Sequence, residues 1–393
     1  MEFPFLFTWT KQNDATFFNL KEVKDHQIIL ESGQRIFDLT SISFQASFGL
    51  KNQQIINPII EQLRNVPMTS PKAIFPLKTD VTNKLIDLIN LGGGKIFYTV
   101  SGAESVENAI KIARQFTGRN LILARRKSYH GASLGALSLT GDWRNQGHLT
   151  LSDYTLRIPE PDDDPELEET RKIILAAGPD KIAAFCLETV SGANGVYIPS
   201  AKWWNGIQKL CNEFGIKLIL DEVVCGFYRT GRPFGFLHFP IKPDFICMAK
   251  AISGGYVPFG ALWVSDECAH SYDDKVLSCG LTNYAHPLGL AALSGVLALT
   301  SSMEFQNKLR NLIPHFSTQL TELRELPEVA TIRHIGMLAA IELKKSLSFD
   351  AVFQAGAYAL VKDKMLILCP ALTYGIDELT TAMRVIRKVI SAP

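Results

Sequence analysis

Neither sign of charge is in excess along this chain: 40 Lys and Arg stand against 39 Asp and Glu, a formal net charge of +1. No Lys/Arg-dense stretch creates a local field, so nucleic acid and anionic membrane surfaces are excluded as partners and small neutral or zwitterionic ligands are favoured. Paired cysteines are missing too. The seven are odd in number, scattered from Cys186 to Cys369 and never spaced Cys-x-x-Cys, which speaks against a disulfide framework or a zinc site and fits a reducing cytoplasm. Long hydrophobic runs are also absent. The apolar start, Met-Glu-Phe-Pro-Phe-Leu-Phe-Thr-Trp, lacks a basic leader and a cleavage site, and Gly289 to Thr300 is too short to cross a bilayer, so a soluble protein with no membrane partner is expected. No Gly-x-Gly-x-x-Gly follows a strand, which counts against a dinucleotide site, and no repeat period or low-complexity tract occurs.

What is present is a chain of 393 residues, 47% hydrophobic and 20% charged, long enough for a sizeable core. Its middle alternates strand and helix patterns. Short β-branched and aromatic runs at Ile96–Val100, Leu121–Ala124, Ile182–Leu187, Ile216–Leu220, Phe245–Met248 and Ala261–Val264 are bounded by Gly, Pro or charge. Ser101 to Phe116 opens with a capping box, Ser101 with Glu104, carries Val106, Ile110 and Ala113 on one face and stops at Gly118; Ala201 to Phe214 also ends in glycine. The pattern predicts an α/β fold with a mostly parallel central sheet and helices on both faces. Residues 17–48 read as a β-meander, and after Leu288 come two long helices, a short strand pair near Arg333 to Leu343 and a final helix from Asp377. Residues 66–288 are thus expected to form a large domain, with 1–65 and 289–393 together forming a smaller α+β domain. The acidic Pro159–Glu169 stretch reads as a solvated loop entering a helix, and Gly92-Gly93-Gly94-Lys95, which precedes a strand, as a helix-ending turn.

Two strand ends carry the chemistry. In Leu218-Ile219-Leu220-Asp221-Glu222 a carboxylate closes a buried strand, at the edge where open α/β sheets bind ligands, and it needs a cationic partner. Glu222 can equally be an acidic helix cap. In Phe245-Ile246-Cys247-Met248-Ala249-Lys250 a lysine closes another strand, where its amine pKa can fall and it can form a Schiff base with a carbonyl. Alone, Lys250 reads as a snorkelling lysine; together, Asp221 and Lys250 are the two protein groups that pyridoxal phosphate chemistry requires. Ser101-Gly102-Ala103, between a strand and a capped helix, offers backbone N–H groups to a phosphate. Tyr129-His130-Gly131 follows another strand and places an aromatic that can stack on a ring or fill a core.

In chain order, Ser-Gly-Ala-Glu-Ser-Val-Glu-Asn-Ala-Ile-Lys from Ser101, Ser-Tyr-His-Gly at 128–131, Asp-Glu-Val-Val-Cys-Gly-Phe at 221–227, Ala-Lys-Ala-Ile-Ser-Gly-Gly at 249–255 and Leu-Thr-Asn-Tyr-Ala-His-Pro at 281–287 resemble the class III aminotransferases, pyridoxal phosphate enzymes of fold type I. The likeness spans nearly the whole chain and is strongest to the pyruvate-using omega branch. It implies that Lys250 carries the cofactor covalently and then moves the substrate proton, and that Asp221 keeps the pyridine nitrogen protonated. Tyr129 and Val223 would flank the ring, with His130 and Glu188 near it. Ser101, Gly102 and Ala103 would bind the phosphate with Thr282 of a neighbouring subunit, making the active form a homodimer. Phe44 falls where relatives line the substrate pocket with an aromatic, though a core phenylalanine would look the same.

Two departures stand out. Tyr228 occupies a position usually held by glycine, so a differently shaped loop is expected. Met365-Leu366-Ile367-Leu368-Cys369-Pro370-Ala371-Leu372 lacks the arginine with which many relatives clamp a substrate carboxylate. The expected reaction is transfer of an amino group from a primary amine or omega-amino acid to a keto acid such as pyruvate. The missing arginine leaves an isomerase, racemase or aminomutase of the same family, or a member that has lost catalysis, as alternatives.

Overall fold

The computed structural model describes residues 3–392. Seven strands form its central sheet: β1 (Lys95–Thr99), β2 (Leu121–Arg125), β3 (Thr155–Ile158), β4 (Ile182–Glu188), β5 (Lys217–Asp221), β6 (Phe245–Met248) and β7 (Gly260–Val264), in the spatial order β1-β7-β6-β5-β4-β2-β3. Only β7 runs against the rest. Alternation along each strand divides the core into two layers. Phe97, Ile122, Ala184, Ile219 and Leu262 pack with Val106, Ile110 and Ala113 of helix Gly102–Thr117. Tyr98, Leu123, Phe185, Leu218 and Ile246 face the other way, toward Trp203, Trp204 and Ile207 of helix Ala201–Phe214. Strand β3 has no strong hydrophobic run and escaped the sequence reading, because it is an edge strand with only Ile158 fully buried.

Both ends of the chain meet beside this sheet. The predicted meander, Leu20–Lys24, Gln27–Leu30 and Arg35–Asp38, gains a fourth strand from Ala357–Tyr358, which runs parallel to Arg35–Asp38 with Tyr358 opposite Asp38. It ends at Asp38, ten residues before the expected limit of 48, and the chain then enters a tight left-handed turn. The Val329–Ile335 and Leu338–Leu343 pair belongs to a four-stranded antiparallel sheet completed by Met365–Leu368 and Leu360–Lys362. The apolar helix Pro287–Ser301 packs against helices Gln53–Asn65 and Pro76–Ile89, and no single helix among the described residues is long and apolar enough to cross a membrane.

The acidic stretch 159–169 is only partly solvated, contrary to expectation. Glu160 is buried, accepts the Lys127 N–H at 2.7 Å and faces Arg125; Asp164 is buried and takes the Thr170 N–H and hydroxyl, securing the start of helix Glu168–Ala177. The three glycines at 92–94 do form a turn into β1, all with positive φ, after Asn90 has ended the preceding helix in the left-handed region.

Candidate active site

Strands β1, β2, β4, β5 and β6 are mutually parallel, so their carboxyl ends share one edge of the sheet, and a cavity of about 620 Å³ lies there. Its lining brings together Phe44, Ser101, Gly102, Ala103, Tyr129, His130, Glu188, Asp221, Val223 and Lys250. Thr282 is the one expected site residue outside it, exposed in the turn before helix Pro287–Ser301. A cleft of about 750 Å³ at the opposite edge is self-neutralised: Lys217 there pairs with Asp244 at 3.2 Å and Glu267 at 2.9 Å.

Asp221 ends β5, nearly buried, with Oδ1 accepting the Val223 N–H at 3.1 Å. Its Oδ2 meets His130 Nδ1 at 2.9 Å. A carboxylate can only accept, so Nδ1 donates, and the buried Nε2 has no partner among the described residues. The adjacent Glu222 points away. It is buried, accepts the Gly235 and Phe236 N–H groups at 2.8 Å and the Thr189 hydroxyl, and burial pushes its pKa up to about 7. No helix starts at Glu222, so it caps none there; its carboxylate instead holds the remote turn Gly235–His238.

Lys250 follows β6 with a left-handed φ of 51°, which turns its side chain into the cavity. Its Nζ has neither a hydrogen bond nor an ion pair among the described residues and lies 5.4 Å from the centre of the Phe44 ring. Burial lowers its pKa, with Asp221 and then Glu188 pulling the other way, so the neutral nucleophilic amine is more available than in a solvated lysine. Glu188, at the end of β4, is held by the Tyr129 N–H at 3.0 Å and the Gly192 N–H at 2.8 Å, with Arg125 at 3.9 Å. Burial raises its pKa while the Arg125 guanidinium opposes the shift.

The start of helix Gly102–Thr117 lines the same cavity as Lys250. Ser101 Oγ caps the Glu104 N–H at 3.2 Å, but the Glu104 carboxylate reaches past the cap to the Val100 N–H at 2.9 Å. The Gly102 and Ala103 N–H groups, in the first helical turn, have no intrahelical acceptor and sit at the positive helix end. A Cβ on Gly102 would come within 2.9 Å of Val223 Cγ2, and one on Gly131 within 2.7 Å of Ala103 Cβ, so both glycines allow the loops to close on this helix start. An aldehyde-bearing planar ring with a phosphate arm satisfies the set: N–H groups for the phosphate, Asp221 for a ring N–H, Tyr129 and Val223 for the ring faces and a free amine for the aldehyde.

Four aromatic or charged pocket residues were not anticipated. Trp9, Trp143 and Arg144 form an aromatic and cationic rim, with the Arg144 guanidinium 4.5 Å from the Tyr129 ring centre, 5.2 Å from Trp9 and tied to Asp142. Lys362 enters from the C-terminal sheet, its Nζ bonded to Asn194 Oδ1 at 3.0 Å. Trp9 and Lys362 reach the cavity from segments remote in sequence, and Trp143 and Arg144 from a short turn after the Tyr129 loop that carries no motif. At the unusual Tyr228 the turn is left-handed, with φ of 55° at Phe227 and 70° at Tyr228; the Tyr228 N–H bonds to Pro233 O at 3.2 Å and its ring packs on Phe305.

The family model described as aminotransferase class-III matches residues 8–390. An aminotransferase of Bacillus subtilis, itself uncharacterized, is 30% identical, the match covering 86% of this chain and 80% of that one. The putrescine–pyruvate aminotransferase of Pseudomonas aeruginosa is 26% identical over 90% of this chain and 86% of its own. Among solved structures, the taurine:2-oxoglutarate aminotransferase of Bifidobacterium kashiwanohense, in complex with pyridoxal phosphate and glutamate, superposes with a TM-score of 0.93 at 27% identity, covering 98% of this chain and 95% of that one.

Proposed function

The chain belongs to the class III aminotransferase family, and from that premise we propose that it uses pyridoxal phosphate to move an amino group from a primary amine or omega-amino acid to a keto acid such as pyruvate. The observation that carries this reading is the unpartnered Lys250 amine facing the same cavity as Asp221 at the carboxyl edge of the sheet. Bound there, pyridoxal phosphate would supply an electron sink for the substrate carbon that exchanges its proton. Lys250 Nζ would hold the cofactor and afterwards carry that proton, a task its lowered pKa suits. Asp221, oriented by His130 and the Val223 N–H, would accept a hydrogen bond from the ring nitrogen. Gly102 and Ala103 would hold the phosphate. The partner's Thr282 would complete that cradle in a homodimer, a role suited to a residue exposed outside its own pocket.

Lys362 supports a carboxylate-bearing substrate despite the missing arginine. Its ammonium lines the cavity without a carboxylate within ion-pair distance among the described residues, whereas Arg144 at the rim is already neutralised by Asp142. Burial and Arg144 lower the Lys362 pKa, with Asp142 and Glu188 opposing more weakly, so an anionic group on the ligand would favour its charged form. Incubation of the loaded enzyme with primary amines and omega-amino acids, each with pyruvate or 2-oxoglutarate, tests the assignment: stoichiometric carbonyl product and new amino acid are expected from at least one pair. Turnover of an amine with no keto acid present would instead indicate an isomerase.

A further inference from the structure

Four consecutive non-glycine residues, Ser41, Ile42, Ser43 and Phe44, have φ of 51°, 41°, 59° and 71°. L-residues avoid this left-handed region, and a β-branched residue such as Ile42 avoids it most, so a run of four persists only where the surroundings over-determine it. Two buried charged side chains do so. Asp38, 2% exposed, accepts the Ile42 N–H at 2.9 Å, the Thr40 N–H at 3.0 Å and the Thr40 hydroxyl at 3.2 Å. Arg229, 1% exposed, donates to Ser41 Oγ at 3.2 Å and Ser47 Oγ at 2.9 Å while its other terminal nitrogen holds the Met337 and Pro370 carbonyls at 3.0 and 2.6 Å. Ser41 Oγ itself donates to the Cys369 carbonyl at 2.6 Å. Arg229 has no carboxylate within ion-pair distance among the described residues; both terminal nitrogens are committed to this junction, while its buried Nε has no partner.

The turn so held places Phe44 against Lys250, with Ser43 beside it on the cavity wall. Arg229 follows the Asp221 segment, and the carbonyls it holds lie just before Leu338–Leu343 and just after Met365–Leu368, at the shared end of that strand pair; one guanidinium thus joins the N-terminal turn, the loop after β5 and the C-terminal sheet. We infer that Asp38 and Arg229 are positioning residues that brace the strained 41–44 turn and thereby fix Phe44 as a wall of the substrate pocket. Neither lines the cavity, so each acts through the turn. The inference rests on the active-site assignment above, but the state of the turn can be read without turnover.

The test compares Asp38→Asn, Arg229→Lys, Phe44→Ala and the double variant Asp38→Asn/Phe44→Ala by hydrogen exchange, with and without pyridoxal phosphate, and by KM and kcat. Asp38→Asn and Arg229→Lys should speed amide exchange across 41–46 by about tenfold or more while leaving the central sheet protected. KM should rise about fivefold or more with kcat little changed, and Asp38→Asn should add nothing to the KM of Phe44→Ala. Unaltered exchange at 41–46, or KM losses that multiply in the double variant, would overturn the inference. If Asp38→Asn fails to fold, Ser41→Ala, which removes one hydroxyl from the junction, gives the same readouts. Wild-type protein with no amino transfer would contradict the functional assignment while leaving the exchange result to decide the brace.

Discussion

Asp221 and Glu222 are adjacent carboxylates at the end of one strand, and the fold gives them opposite tasks. Strand alternation turns Asp221 into the cavity beside His130, whereas Glu222 satisfies backbone N–H groups inside the protein. Because burial lifts the Glu222 pKa to about 7, the folded chain binds this proton more tightly than the unfolded one. Its contribution to stability is complete below the ordinary carboxyl pKa and is lost as pH rises through about 7, at most about 3 kcal/mol. Melting temperatures from about pH 5 to 8 should therefore fall less steeply in Glu222→Gln than in the wild type, even though the variant is less stable at pH 5. Lys362 gives the second prediction at this scale. Lys362→Met should raise KM for the keto acid about tenfold, leave kcat nearly unchanged and leave a simple amine unaffected, as measured by steady-state kinetics. The carboxylates were legible as strand-end acids. Lys362 was not, since nothing in Leu360-Val361-Lys362 signals that a C-terminal edge strand turns its lysine toward a cavity formed largely by residues 101–250.

At the level of elements, the start of helix Gly102–Thr117 is where local sequence and site geometry agree best. The capping pattern was readable because Ser101 and Glu104 act within four residues of one another, yet the Glu104 carboxylate reaching Val100 instead of Ser101 depends on how β1 enters the helix. Gly102→Val would push side-chain atoms onto Val223 and Ala249, where even a Cβ finds neighbours at 2.9 and 3.4 Å. Overpacking of this kind should weaken pyridoxal phosphate binding by about 10- to 100-fold in an absorbance titration, with the melting temperature of the cofactor-free protein little changed. The 41–44 turn is the opposite case. No glycine or turn dipeptide announces it, and its left-handed geometry is imposed by Asp38, Arg229 and Cys369, which lie on three separate segments of the chain. The β-meander reading accordingly ran past Asp38 into residues that form no strand.

Across the whole molecule, six of the seven central strands were legible because each is a short apolar run with both faces covered, whereas the edge strand β3, with only Ile158 fully buried, carries no such run. The joining of the two chain ends was only partly legible: the pairing of Ala357–Tyr358 with Arg35–Asp38 joins strands more than 300 residues apart and depends on the register of short edges. That joining brings Phe44 and Lys362 to a cavity otherwise lined mainly by the strand ends of the central sheet and the segments that follow them. We propose that the free amine just after β6 is the group that takes the cofactor. Borohydride reduction of the protein loaded with pyridoxal phosphate, followed by digestion and mass spectrometry, tests it directly. One reduced pyridoxyl group per chain is expected, on Lys250, and none in Lys250→Ala; a label on another lysine, or one that persists in Lys250→Ala, would rule Lys250 out as the attachment point.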